Sequence, residues 1–230
     1  MENSISQTTD IFISDSRCAH VTKGGIGVED QAPPADPLGS QYSVIFTESS
    51  KCIIGVNARS DTVTIFGLDG LVLMRYGVYN SYGIFPVSIS QNGKFMYVLN
   101  SGGSRSISSF AFDETVCNLE HLPLLTRSLG KMYDNPLFFI ISPAQIGFSL
   151  DGNFLVVTLK GINPDPGYLG KICIYSLSFK KKHISLMTTI SNGFTPFNFD
   201  FNAAGNLLVA DAFGSSSFPL EMNGGSVSSY

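Results

Sequence analysis

The chain has 230 residues, 43% of them hydrophobic and 14% charged, with a formal net charge of -4. That composition describes a globular chain with ample core-forming material, and it lacks the basic surplus or stripe by which proteins hold nucleic acid or an anionic membrane. No apolar stretch approaches the ~20 residues that span a bilayer, and the polar residues 1–10 lack the basic head and apolar middle of a signal peptide.

Residues 1–40 come first and carry no clear pattern; the stretch Gln31-Ala-Pro-Pro-Ala-Asp-Pro37 is extended or loop-like. An alternating strand, Tyr42-Ser-Val-Ile-Phe46, then leads to an apolar run, Cys52-Ile-Ile-Gly-Val56, followed by Thr62-Val-Thr-Ile-Phe66 and Leu71-Val-Leu-Met74. The order recurs as Val87-Ser-Ile-Ser90, Phe95-Met-Tyr-Val-Leu99, Ser106-Ile-Ser-Ser-Phe110 and Leu122-Pro-Leu-Leu125. It recurs again as Ala144-Gln-Ile-Gly-Phe148, Phe154-Leu-Val-Val-Thr158, Lys171-Ile-Cys-Ile-Tyr175 and Ile184-Ser-Leu-Met187. A last copy has Phe197-Asn-Phe-Asp-Phe201, Leu207-Leu-Val-Ala210 and Ser226-Val-Ser-Ser-Tyr230, with no fourth run.

Tight-turn signals separate the first two runs at Asn92-Gly93, Asp151-Gly152 and Ala204-Gly205; Ser49-Ser50 in the first copy is a weaker match. Prolines at 86, 143 and 196 open three of the copies. Each unit therefore reads strand, turn, strand, loop, strand, turn, strand. The second run is apolar on both faces, as a strand buried inside a stack must be. A repeating four-stranded antiparallel unit of this length is the pattern of a β-propeller blade. A sandwich would not repeat its four-strand pattern, a solenoid would have shorter coils, and Gly and Pro punctuate too often for long helices.

The expected organisation is all-β: residues 1–40 as an N-terminal arm or the remnant of a preceding blade, then blades at 41–85, 86–142 and 143–195, and an incomplete blade at 196–230. The expectation is a partial propeller, truncated from a longer one, about four blades of which are present. An open arc exposes apolar blade faces and a strand edge, which favours self-association. Lys180-Lys181-Lys182, between two apolar runs, reads as a solvated hairpin tip. The four cysteines, Cys18, Cys52, Cys117 and Cys173, are scattered; Cys52 and Cys173 sit in apolar runs and read as small buried hydrophobes. No disulfide framework is expected, and a reducing, cytoplasmic location fits.

Several segments together resemble a known family: Asp36-Pro-Leu-Gly-Ser-Gln41, Val56-Asn57, Phe85-Pro-Val-Ser88, Tyr97-Val-Leu-Asn100, Pro143-Ala-Gln-Ile-Gly-Phe148, Leu155-Val-Val-Thr158 and Gly193-Phe-Thr-Pro-Phe197. They look like the YVTN/lactonase-like seven-bladed β-propellers, a group that includes 6-phosphogluconolactonase-like and carboxymuconate-cyclase-like proteins. The resemblance implies a seven-bladed ring, of which about half is here, and a lactonase or cyclase activity on a small anionic metabolite. It does not fix a substrate, because one fold hosts many functions.

Propeller ligands bind at a mouth of the central channel, lined by the loops from second to third strands and from blade to blade. Those loops hold Asn57, Arg59, Asn100, Arg105, Lys160 and Asp211, while Gln41 and Gln145 start innermost strands; these eight are the substrate-binding candidates. A lactonase needs a group to polarise the ester carbonyl and a base to activate water, or a metal doing both, and a muconate cyclase needs cations for its carboxylates; Arg59, Arg105 and Lys160 supply charge to hold an anionic substrate. Asn57 and Asn100 recur at equivalent positions, where a side chain more often caps a turn than contacts a ligand. No catalytic residue stands out. His20, His121 and His183 fall in the arm or near outer strands, and no metal-ligand spacing or cofactor motif is evident. The alternative to an enzyme is a non-catalytic propeller that binds a protein or small ligand, or an inactive truncated product.

Overall fold

The computed structural model describes residues 8–15, 18–26, 38–47, 51–70, 72–130, 142–161, 170–178, 183–190, 195–211 and 214–218. A two-stranded hairpin, β1 (Thr8–Asp15) and β2 (Cys18–Ile26), comes first. Blade 1 is β3 (Val44–Thr47), β4 (Cys52–Asn57), β5 (Thr62–Asp69) and β6 (Val72–Asn80), paired antiparallel in that order. Blade 2 is β7 (Ile84–Asn92), β8 (Phe95–Gly102), β9 (Ser106–Asp113) and β10 (Asn118–His121), with the short β11 (Arg127–Ser128) also pairing β9. Blade 3 is β12 (Pro143–Phe148), β13 (Phe154–Leu159), β14 (Lys171–Ser178) and β15 (His183–Ile190). Blade 4 is β16 (Pro196–Phe201), β17 (Leu207–Asp211) and β18 (Gly214–Phe218). This is an arc of a β-propeller, all-β among the described residues apart from two 3-10 turns, at Ala58–Ser60 and Pro123–Leu125.

Local chemistry explains the repeat. The turns after β7, β12 and β16 place Gly93, Gly152 and Gly205 at φ of 54°, 70° and 82°, a backbone region that only glycine enters without cost. Blade 1 has no glycine in that turn, and Lys51 takes the left-handed conformation instead, at φ 53°. Strand β13 is buried along its whole length because blades pack on both of its faces, and so is β4, which has blade 2 on one face and the N-terminal hairpin in contact with it. The blades stack through three cores: Ile54, Val56 and Ile65 against Ile89, Met96 and Val98; Tyr97, Leu99 and Ile107 against Ile146, Leu155 and Val157; Val156 and Ile174 against Phe199, Leu207 and Val209. Each such side chain stabilises the stack by roughly 1.5–3 kcal/mol through burial.

Three expectations are corrected. The fourth strand of blade 2 is Asn118–His121, not 122–125; Pro123 lacks the N–H a ladder needs and opens the 3-10 turn instead. The third strand of blade 4 is Gly214–Phe218, with Val209 opposite Ser216, whereas the expected 226–230 lies outside the described residues, as do Gln31–Pro37 and Lys180–Lys182. Third, Cys52 and Cys117 form a disulfide between blades 1 and 2, with Cα atoms 6.0 Å apart. Residues 65 apart in sequence meet because stacking brings β4 against the turn before β10, a proximity that scattered spacing does not reveal. The ground for expecting a reducing compartment is thereby removed.

The N-terminal hairpin contacts β4, β5 and β6 of blade 1. Tyr42, Val44 and Phe46 at the start of blade 1 stay exposed, as does Leu208 of blade 4.

Candidate functional site

The two faces of the arc, on which each blade's strands end, are distinct. Tight turns between first and second strands occupy one. The other, the loop mouth, gathers the ends of second strands and the blade-to-blade connections, because antiparallel pairing sets Pro86 opposite Asn100, Pro143 opposite Leu159 and Pro196 opposite Asp211.

At the loop mouth, Asn57 and Asn100 are fully buried and make the same bonds. The Asn57 amide donates to Thr62 and Thr64 Oγ1 at 3.1 and 2.8 Å, and the Asn100 amide to Ser106 and Ser108 Oγ at 3.3 and 2.9 Å. Both Oδ1 atoms are buried without a hydrogen-bond partner. These amides tie the second strand to the third, as the hydroxyls two residues apart on β5 and β9 allow.

The cations differ in their surroundings. Arg59 is exposed in the 3-10 turn after β4. Arg105 is buried and donates from Nε to the Gly130 carbonyl at 3.2 Å; burial pushes its pKa down, with the nearby Cys173 acting the other way. Lys160 is 2% exposed, its ammonium donating to the Gly39 carbonyl and lying 5.0 Å from the centre of the Phe197 ring. Asp211, at the end of β17, accepts the Thr195 N–H at 2.8 Å, and the Thr195 hydroxyl donates to the carbonyl of Gly161, next to Lys160. Thr195 thus joins the Lys160 loop to Asp211 at the junction of blades 3 and 4. Asp61 plays the matching part at the junction of blades 1 and 2, accepting the Phe85 N–H at 2.7 Å.

Gln41 and Gln145 are drawn toward the same region by different means. The Gln41 N–H donates to Ala144 O at 2.9 Å, which carries the entry to blade 1 across to blade 3. Gln145 is 3% exposed and clamps blade 3 to blade 4: its amide donates to Phe199 O and its Oε1 accepts Phe199 N–H, each at 2.9 Å. Between the innermost strands, toward the turn end, lies a cavity of about 400 Å³ bordered by Tyr42, Phe46, Gln91, Gln145, Phe148 and Asp200. Of the eight candidates only Gln145 borders it.

Lys160 and Asp211 are linked through Thr195 at the blade 3–4 junction, Gln145 clamps the same two blades nearer the turn end, and the Gln41 backbone bonds to blade 3; Arg59, Asn57 and Asn100 belong to blades 1 and 2, and Arg105 to the blade 2–3 core. Sequence reasoning passed over Thr195, Phe197 and Gly39. The Thr195-Pro196 pair, at the start of a repeat, is the signal that marks Thr195 as a junction residue. His121 lies on the outer strand β10, stacked on Tyr82 with ring centres 3.6 Å apart, away from the axis. Among the described residues no three His, Cys, Asp or Glu side chains come together to hold a metal, and no helix is long and apolar enough to cross a membrane.

The lactonase seven-bladed β-propeller family model matches residues 42–218. The chain belongs to that family. Solved lactonase-type propellers superimpose well: a candidate 6-phosphogluconolactonase from Bacteroides uniformis (TM-score 0.64, 17% identity, 82% of this chain and 52% of that one) and a periplasmic gluconolactonase from Pseudomonas aeruginosa (0.63, 18%, 82% and 52%). A Lactobacillus plantarum protein aligns with 97% of this chain and 64% of its own, at TM-score 0.64 and 16% identity. At such identities the likeness is one of fold. This lactonase-family chain spans about half the length of the first two relatives. No curated protein matches it.

Proposed function

We propose that this lactonase-family propeller hydrolyses a small anionic lactone at the loop mouth, with the blade 3–4 junction as the working site. The observation that carries the reading is the link that Thr195 makes between Asp211 and the loop bearing Lys160, in a chain whose family is lactonase-type over residues 42–218. Hydrolysis adds water to the lactone carbonyl, passes through an oxyanion, and breaks the ring C–O bond to give a hydroxy acid. A buried ammonium such as Lys160 stabilises the oxyanion strongly, because little water screens it. The Asp211 carboxylate, oriented by Thr195 N–H, takes a proton from the attacking water, and that proton passes to the leaving alkoxide. Exposed Arg59 draws an anionic substrate toward the mouth.

The test is proton release from glucono-δ-lactone and 6-phosphogluconolactone above the uncatalysed rate. Lys160→Met and Asp211→Asn should each lower kcat by about 10²–10³-fold with the fold intact by circular dichroism. Absence of turnover on both lactones rejects the reading. A second reading, a non-catalytic propeller that binds a small ligand or protein, is favoured by the engagement of two candidate groups within the chain, the Gln145 amide and the Lys160 ammonium, which bond to its own carbonyls. Binding of the hydroxy acid without lactone turnover would select it.

A further inference from the structure

Residues 38–42 run along the innermost strands of blades 2 and 3. Leu38 packs into the core between blades 2 and 3. The Ser40 hydroxyl donates to Val87 O of β7 at 2.8 Å, and the Gln41 N–H to Ala144 O of β12 at 2.9 Å. Lys160 holds the Gly39 carbonyl. The chain then enters blade 1, where Tyr42 O accepts the Ile89 N–H at 2.9 Å. A segment that begins blade 1 is thus tied to blades 2 and 3, and it covers the cation on which the proposed chemistry turns.

We propose that residues 38–42 are a displaceable strap, with the Gly39 carbonyl standing in for a ligand oxygen on Lys160, and that a carboxylate-bearing small molecule releases the strap and opens the loop mouth. This rests on the reading of Lys160 as the anion-binding group. A carboxylate is the stronger partner for an ammonium, because both members of the bond are then charged. The strap is built to let go at its far end. Tyr42 holds a left-handed backbone, φ 57°, which strains a residue with a Cβ, and the residue is 50% exposed, so release at this end relieves strain and uncovers little new apolar surface while Leu38 keeps its place in the core. Gly39, at φ 55°, forms the bend that turns its carbonyl onto Lys160 and swings freely, having no side chain. Lys160 is 2% exposed with the Gly39 carbonyl on its ammonium, so movement of the strap opens that ammonium to a ligand. Phe197 beneath it stays in place to hold the ammonium by its ring face.

The experiment reads amide hydrogen exchange at Gln41 and Ile89 by NMR during a titration with potassium gluconate. Potassium chloride at matched ionic strength and sorbitol serve as controls. Gluconate should speed exchange at both amides by about tenfold at saturation, and neither control should. Ser40→Ala should exchange faster without ligand and respond at lower gluconate; Lys160→Met should respond only at much higher gluconate. Should Lys160→Met fail to fold, the wild-type and Ser40→Ala titrations decide the matter by themselves. Unchanged exchange with gluconate, or an equal response to sorbitol or chloride, overturns the strap. Lactone turnover is followed on the same samples. Faster exchange without turnover rejects hydrolysis and keeps the strap; turnover with both amides unmoved rejects the strap alone.

Discussion

Breaking the Cys52–Cys117 bond should cost this protein much of its stability. The disulfide links β4 of blade 1 to the turn before β10 of blade 2, beside a hydrogen bond from Tyr79 Oη to Asn118 Oδ1 at 2.9 Å. The linked residues are 65 apart in sequence. A cross-link closing a loop of that size removes about 14–15 cal/mol/K of entropy from the unfolded chain, or about 4 kcal/mol at 25 °C. With a urea m-value of about 2 kcal/mol/M, the midpoint should fall by about 2 M when Cys52 and Cys117 are both replaced by alanine. The check is urea unfolding of the oxidised, reduced and doubly substituted proteins. It is paired with mass spectrometry after alkylation: in the unfolded oxidised protein, Cys52 and Cys117 should escape label until reductant is added. Labelling of both without reductant, or a midpoint shift below about 0.5 M, would refute the reasoning.

Three further outcomes are expected. Burial lowers the His121 pKa from its usual 6.5; the unfolded chain therefore takes up the proton first, and stability should be complete above pH about 6.5 and decline as pH falls below it. His121→Gln should flatten that slope in thermal melts recorded from pH 7.5 to 5. Gly83→Ala would set a Cβ 2.3 Å from the Asn100 side chain, which two serine hydroxyls hold in place. It should destabilise by about 1–3 kcal/mol in urea, and a neutral result would mean the Asn100 bonds are dispensable. Gln145→Leu leaves Phe199 N–H and C=O buried and unpaired between blades 3 and 4, at a cost of about 2–4 kcal/mol; stability within about 0.5 kcal/mol of wild type would show that the clamp carries no load.

Much of the architecture was legible in the residues. Period-two runs, apolar second strands and Gly93, Gly152 and Gly205 are local signals, because strand pairing through a tight turn is decided by neighbours in sequence. The outer strands were less legible. At blade 2 the apolar run 122–125 suggests a strand, but pairing with β9 falls to Asn118–His121, where half the side chains face solvent and polarity is tolerated. Residues 1–40 read as arm or blade remnant, and the hairpin at Thr8–Ile26 became visible only in contact with blade 1.

The candidate residues divide in the same way. That Asn57 and Asn100 share a role was evident from the repeat, and the structure assigns the bonds: each amide reaches two hydroxyls on the next strand. Lys160 was one basic loop residue among three; its distinction is burial against Phe197 and the strap, which requires residues 39, 160 and 197 to meet. By itself the sequence determined that this is a stack of antiparallel blades, because turn chemistry and alternation are short-range. Tertiary structure decided what lies between the blades: the Cys52–Cys117 bond, the Gln145 clamp, the Thr195 bridge and the strap over Lys160. Each joins residues far apart along the chain, and only the stacking of one blade on the next fixes their distance.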